Sequence, residues 1–247
     1  MILVALIVLF PITAMAQMDR EKDIQKFVDM ISNGSWVEYK EAAKLLEWEG
    51  LSDPRIFDPM ENELLDITAK KNPGKHDIDL ASWLLKALSF SGQDKYYDTV
   101  VDISKKTKIN KIRKYAEVSL IQFKQYKKWN PIINSDDKYN EEVAPDINRF
   151  ANMLRSDDFP LMALAAKRIH FEHIYNEYLM EVLAEAIKKN DKPSFANNRD
   201  LDTMGWMIKA LGGSRNEKHK PLLQSLSKSA KHRKTRAYAK KYLNYYS

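Results

Sequence analysis

Apolar residues recur along this chain at three- and four-residue steps, and strict alternation never runs long. The stretch SWLLKALSFSG places Leu84, Ala87 and Leu88 on one stripe, with Trp83 and Phe90 beside it. β-Branched residues are not clustered, so strands are not expected. Asp53-Pro54 reads as an N-cap followed by proline at the first helical position, and Asn176 is a second good cap. Gly92 and Gly212-Gly213 read as helix ends. Together these signals predict helices near 21–32, 36–48, 54–70, 77–90, 94–106 and 109–126.

The same pattern then repeats 123 residues later. Residues 23–123 fall on 146–246 without a gap, with 24 identities in 101 paired positions; unrelated segments would give about 6. Asp79, Trp83, Lys86, Ala87, Leu88 and Ser91 meet Asp202, Trp206, Lys209, Ala210, Leu211 and Ser214. Ala42, Ala43 and Lys44 meet Ala165, Ala166 and Lys167, and Tyr115 and Ala116 meet Tyr238 and Ala239. The expected fold is therefore all-α, an α-solenoid of about twelve short helices in two tandem homologous halves. The expected boundaries are 1–16, 17–123, a linker over 124–142 that holds Asn130-Pro131, and 143–247.

Residues 1–16, MILVALIVLFPITAMA, are uncharged and almost wholly apolar. They are too short for a comfortable membrane span, which takes ~20 residues. Ala14 and Ala16 stand at the −3 and −1 positions of a small-residue cleavage site. The reading is a cleaved export signal, with an uncleaved anchor as the alternative. With no Cys in 247 residues, disulfides and thiol chemistry are excluded, and a periplasmic location fits.

Arg113-Lys-Tyr-Ala116-Glu-Val-Ser-Leu120 and Arg236-Ala-Tyr-Ala239-Lys-Lys-Tyr-Leu243 share an Arg-x-x-Ala-x-x-x-Leu phrase. With short antiparallel helix pairs around it, the chain resembles HEAT-type repeats. The resemblance implies a binding scaffold rather than an enzyme, and it names no ligand.

Charge narrows the candidate surface. The chain carries 40 Lys and Arg against 34 Asp and Glu. The excess gathers at equivalent places in the two halves, and four basic positions stay in register: Lys105/Lys228, Lys108/Lys231, Lys111/Lys234 and Arg113/Arg236. These eight residues are the candidate partner-binding set, a cationic patch for a protein with an acidic surface. The competing reading is a solvated helix face, with Arg113 and Arg236 bracing the next repeat. Anionic lipid or an envelope polymer is the alternative partner, and nucleic acid is expected only if the chain is not exported. Trp83 and Trp206 read as core, and Tyr238, Tyr242 and Tyr245 as a terminal cap.

No catalytic constellation stands out. His170-x-x-His173 with Glu177 has metal-ligand spacing, but His173 aligns with Gly50 and so falls in a turn, where one helix face cannot present all three. No phosphate loop and no nucleophile elbow are present. No enzyme activity, cofactor or metal is expected. The function expected is a non-enzymatic periplasmic scaffold, its cationic patches steering an acidic partner.

Overall fold

The computed structural model describes the backbone of residues 12–246 and the side chains of residues 14–246. Among these the chain is all α-helical, with short 3-10 turns and no strand. It divides into two compact units, Met1–Pro145 and Asp146–Ser247. Most of the export signal expected at 1–16 lies outside the described residues. No helix among them is long and apolar enough to cross a membrane.

The first unit holds α1 (Ile12–Ile31), α2 (Trp36–Leu45), α3 (Pro54–Ala69), α4 (Lys75–Phe90), α5 (Asp94–Lys106) and α6 (Asn110–Ile133). The second holds α7 (Pro145–Arg155), α8 (Phe159–Phe171), α9 (Glu177–Lys189), α10 (Asn198–Gly213), α11 (Lys220–Ser229) and α12 (Arg233–Leu243). α11 is preceded by a 3-10 turn at Glu217–His219. Helical starts at Trp36, Pro54, Lys75, Asp94 and Asn110 are matched 123 residues later at Phe159, Glu177, Asn198, Glu217 and Arg233.

Capping explains several of these starts. The Asp53 side chain accepts the amide of Arg55, and Pro54 needs no partner at the first helical position. Asn176 accepts the amide of Leu179, and Asn197 that of Asp200. In each unit the even-numbered helices lie side by side: α4 packs on α2 and on α6, and α10 on α8 and on α12. The odd-numbered helices supply their partners, α3 against α4 and α5 against α6. Small residues allow the close approach, since Ala42, Ala43, Ala87, Ala116, Ala165, Ala166, Ala210 and Ala239 are all fully buried. Leu84, Leu88, Ile208 and Leu211 fill the space between layers.

Three boundaries differ from expectation. α1, described from Ile12, runs unbroken through Ala14 and Ala16, the residues that mark the expected cleavage site. α6 continues to Ile133, so the first ten residues of the expected linker are helix. Pro131 is tolerated in its last turn, where Trp129, Asn130 and Ile133 are buried. Finally, Gly212 and Gly213 do end α10, but as its last helical residues; the C-cap is Ser214, and the left-handed residue that follows is Arg215.

Candidate functional site

The side-by-side packing of α2, α4 and α6 brings together residues far apart in sequence. Asp79, Trp83 and Lys86 follow one another at helical spacing on a stripe of α4. Lys40 and Lys44 come from α2, and Lys111 and Tyr115 from α6. The Lys86 ammonium lies 4.5 Å from the Trp83 ring centroid and 5.1 Å from that of Tyr115. Lys44 lies 5.8 Å from the same indole. At one end of this row the Asp79 carboxylate bridges Lys40 at 2.7 Å and Lys111 at 3.4 Å. The hydrogen bond from Lys40 holds the Asp79 carboxyl below its ordinary range.

The second unit builds the row again. Lys209 lies 4.6 Å from the Trp206 centroid and 5.5 Å from that of Phe171, and Lys167 lies 5.5 Å from Trp206. The Tyr238 hydroxyl donates to Asp202 at 3.4 Å. A Cβ on Gly205 would stand 2.9 Å from the Tyr238 ring, so bare backbone is what lets this ring lie against α10. Lys44, Asp79, Trp83, Lys86 and Tyr115 thus recur unchanged as Lys167, Asp202, Trp206, Lys209 and Tyr238.

Both tryptophans are half-buried at the surface, which corrects the expectation that they are core. Each indole is flanked by two lysines, an arrangement worth roughly 0.5–1 kcal/mol per exposed cation–π contact. Sequence reasoning treated these residues as packing. The available signal was the set of identities between halves. Burial accounts for Phe27/Phe150, Ala42/Ala165, Leu88/Leu211 and Ala116/Ala239, but not for two lysines and a half-exposed indole.

The eight basic residues picked from the sequence do not act as one set. Arg113 donates to the carbonyl of Thr107, and Arg236 to that of Ala230, so each guanidinium holds the turn before its own helix. Lys111 turns to Asp79. The Lys231 amide is held by Asp191. Lys105, Lys108, Lys228, Lys231 and Lys234 stand exposed along the α5–α6 and α11–α12 turns. Charge also differs between units: residues 1–145 carry 21 basic and 23 acidic side chains, and residues 146–247 carry 19 and 11.

His170 lies in the last turn of α8, His173 in the turn beyond it, and Glu177 opens α9 with its carboxylate 3.1 Å from Lys218. Among the described residues no group of three or more His, Asp or Glu side chains is placed to hold a metal ion.

No family model matches the chain, and no curated protein matches it. Among solved structures it is similar to human deoxyhypusine hydroxylase in complex with glycerol. The two are 11% identical, with a TM-score of 0.37 over 94% of this chain and 88% of that one. The expectation of a periplasmic scaffold, or of a polyanion binder, working through the turn-edge basic residues is corrected by the geometry: its two arginines are committed to their own turns.

Proposed function

We propose that this chain is a HEAT-type helical-repeat protein, and that its working surface for binding is the lysine–tryptophan–lysine row of each unit. The ligand we assign is an acidic segment of polypeptide bearing apolar side chains. One observation carries the reading: five half-exposed or charged residues recur unchanged in the second unit, where packing does not require them. An ammonium held over an indole still has N–H groups directed outward, and a carboxylate accepts them as charge-assisted hydrogen bonds. The indole edge between the two lysines offers an apolar contact to the neighbouring side chain. Asp79 and Asp202 interrupt each row, which disfavours a ligand with charge at every unit and suits one with spaced carboxylates.

The test is fluorescence anisotropy of a labelled peptide of alternating glutamate and leucine against the full chain. The double variant Lys86→Glu with Lys209→Glu is expected to weaken binding about tenfold or more, the effect of ~1.4 kcal/mol. Reversal of Lys228 and Lys234, on the turn edge, is expected to change it little. Equal losses from the two pairs would mean that net charge alone attracts the peptide, and the row would lose its assignment.

A further inference from the structure

The two units differ where a left-handed backbone follows an even-numbered helix. In the first unit the left-handed residues are Gly50 and Gly92, at φ 67° and 64°. Glycine is required at both, because the end of α6 lies directly on these turns. A Cβ on Gly92 would stand 2.6 Å from the Lys127 amide nitrogen, and one on Gly50 2.6 Å from Asn134 Nδ2. In the second unit the matching residues are His173 and Arg215, at φ 55° and 52°, and both side chains are exposed. A side chain in this conformation is strained, and such strain gathers at functional sites. The strained positions carry an imidazole and a guanidinium.

The residues around them converge. The Tyr175 hydroxyl lies 3.4 Å from His173 Nδ1. That hydroxyl and His170 Nδ1 stand 2.8 and 3.1 Å from the point where a side chain on Gly213 would begin, so both polar atoms gather over bare backbone. His170 Nδ1 is shielded and has no hydrogen-bond partner. Lys209 on α10 lies 5.5 Å from the Phe171 ring centroid, which is itself 5.3 Å from the His170 ring, and Arg215 follows Gly213 by two residues. The neighbouring carboxylate, Glu172, is exposed and paired with Arg168. Phe171, 60% exposed, and Trp206 form an apolar wall beside the cluster. The first unit has Glu47, Gly50, Ser52 and Gly92 where the second has His170, His173, Tyr175 and Arg215.

We infer that His170, His173, Tyr175, Lys209 and Arg215 form an anion site particular to the second unit, which takes the terminal carboxylate or phosphate group of a ligand. The site deepens the proposed function, since Lys209 and Trp206 belong to the row as well. Burial first, and then the Lys209 charge and His173, press the His170 imidazole toward its neutral form. A bound anion reverses part of that pressure, so binding strengthens as pH falls through the histidine range.

The experiment follows the imidazole signals of the full chain by NMR while inorganic phosphate, or in a second arm acetate, is added. In the wild type the His170 signal shifts on titration and its protonation moves to higher pH. The response to phosphate against acetate tells which oxygen group is preferred. Arg215→Gly and His173→Gly keep a backbone that glycine adopts freely, so both variants fold. Each is expected to weaken the response about tenfold, as loss of a charge-assisted bond would. An unmoved His170 signal in the wild type, or an undiminished response in both variants, would overturn the site. Peptide binding by the rows is read separately. If the anion response persists while the row variants bind peptide normally, the row reading fails alone; the converse removes only the anion site.

Discussion

Left-handed positions allow three effects on stability to be separated in one chain. Gly34, Gly92 and Arg215 have φ of 65°, 64° and 52°. A Cβ on Gly34 meets nothing within 4 Å, whereas one on Gly92 meets the Lys127 amide nitrogen at 2.6 Å and its Cα at 2.8 Å. Gly34→Ala therefore incurs only the conformational cost, about 1 kcal/mol. Gly92→Ala adds a clash with helix backbone that cannot swing aside, a further 1–3 kcal/mol or so, for a total of about 3. At roughly 2–4 °C per kcal/mol for a chain of this size, the midpoint falls by about 6–12 °C. Arg215→Gly runs the other way. It removes the strain, loses part of that gain to the greater freedom of glycine in the unfolded chain, and stabilises by about 0.5–1 kcal/mol. Urea unfolding followed by circular dichroism orders the three variants. Equal losses in the two alanine variants would show that the end of α6 does not rest on the turn at Gly92. A loss of stability in Arg215→Gly would show that Arg215 is held by favourable contacts rather than strained.

Three further outcomes follow from named contacts. Asn130→Leu leaves the carbonyls of Phe90 and Ser91 without the Asn130 amide donor, now at 2.9 and 3.0 Å, and is expected to cost about 2–3 kcal/mol in urea unfolding. The buried His219 imidazole, 4.0 Å from Glu181, is held below its ordinary value of 6.5, chiefly by burial. Its contribution is complete above pH 6.5 and is lost as pH falls through the lowered folded value, so His219→Tyr, the residue found at Tyr96 in the first unit, should flatten the acid side of a stability–pH curve. Arg113→Ala and Arg236→Ala each remove a charged hydrogen bond to a turn carbonyl. They are expected to cost about 1.5–3 kcal/mol of stability while leaving peptide affinity unchanged, measured by unfolding and anisotropy on the same samples.

The fold was legible because its signals are local. Asp53-Pro54 and Asn176 announce helix starts through chemistry confined to two or three residues, and the alanine–leucine spacing states which face is buried. Errors arose where a distant segment changed the meaning of a local one. Asn130-Pro131 reads as a break, yet the Asn130 side chain reaches carbonyls 40 residues earlier and keeps the last turn of α6 in the core. Gly212-Gly213 reads as a cap, but both residues are helical, and glycine at 212 answers to packing, since a side chain there would begin 2.9 Å from the Tyr242 Cβ.

The candidate site was missed for a related reason. Spacing shows that Trp83 lies on an apolar stripe, but only packing shows that Lys44 and Lys86 occupy the ground a neighbouring helix would cover. The residues shared between the two units held the missing information. Where both copies keep an alanine or leucine, burial is a sufficient cause. Where both keep a lysine over a half-exposed indole, a surface role is the better cause, because a lysine stem could be replaced by arginine, glutamine or methionine with little change in packing. Where the copies diverge, as Gly50 and Gly92 against His173 and Arg215, the difference marks what each turn must do. One pair makes room for the end of α6; the other presents an imidazole and a guanidinium to solvent from a backbone that glycine would hold at lower cost. Shared residues therefore locate the common surface, and strained, unshared ones locate the chemistry that sets the second unit apart.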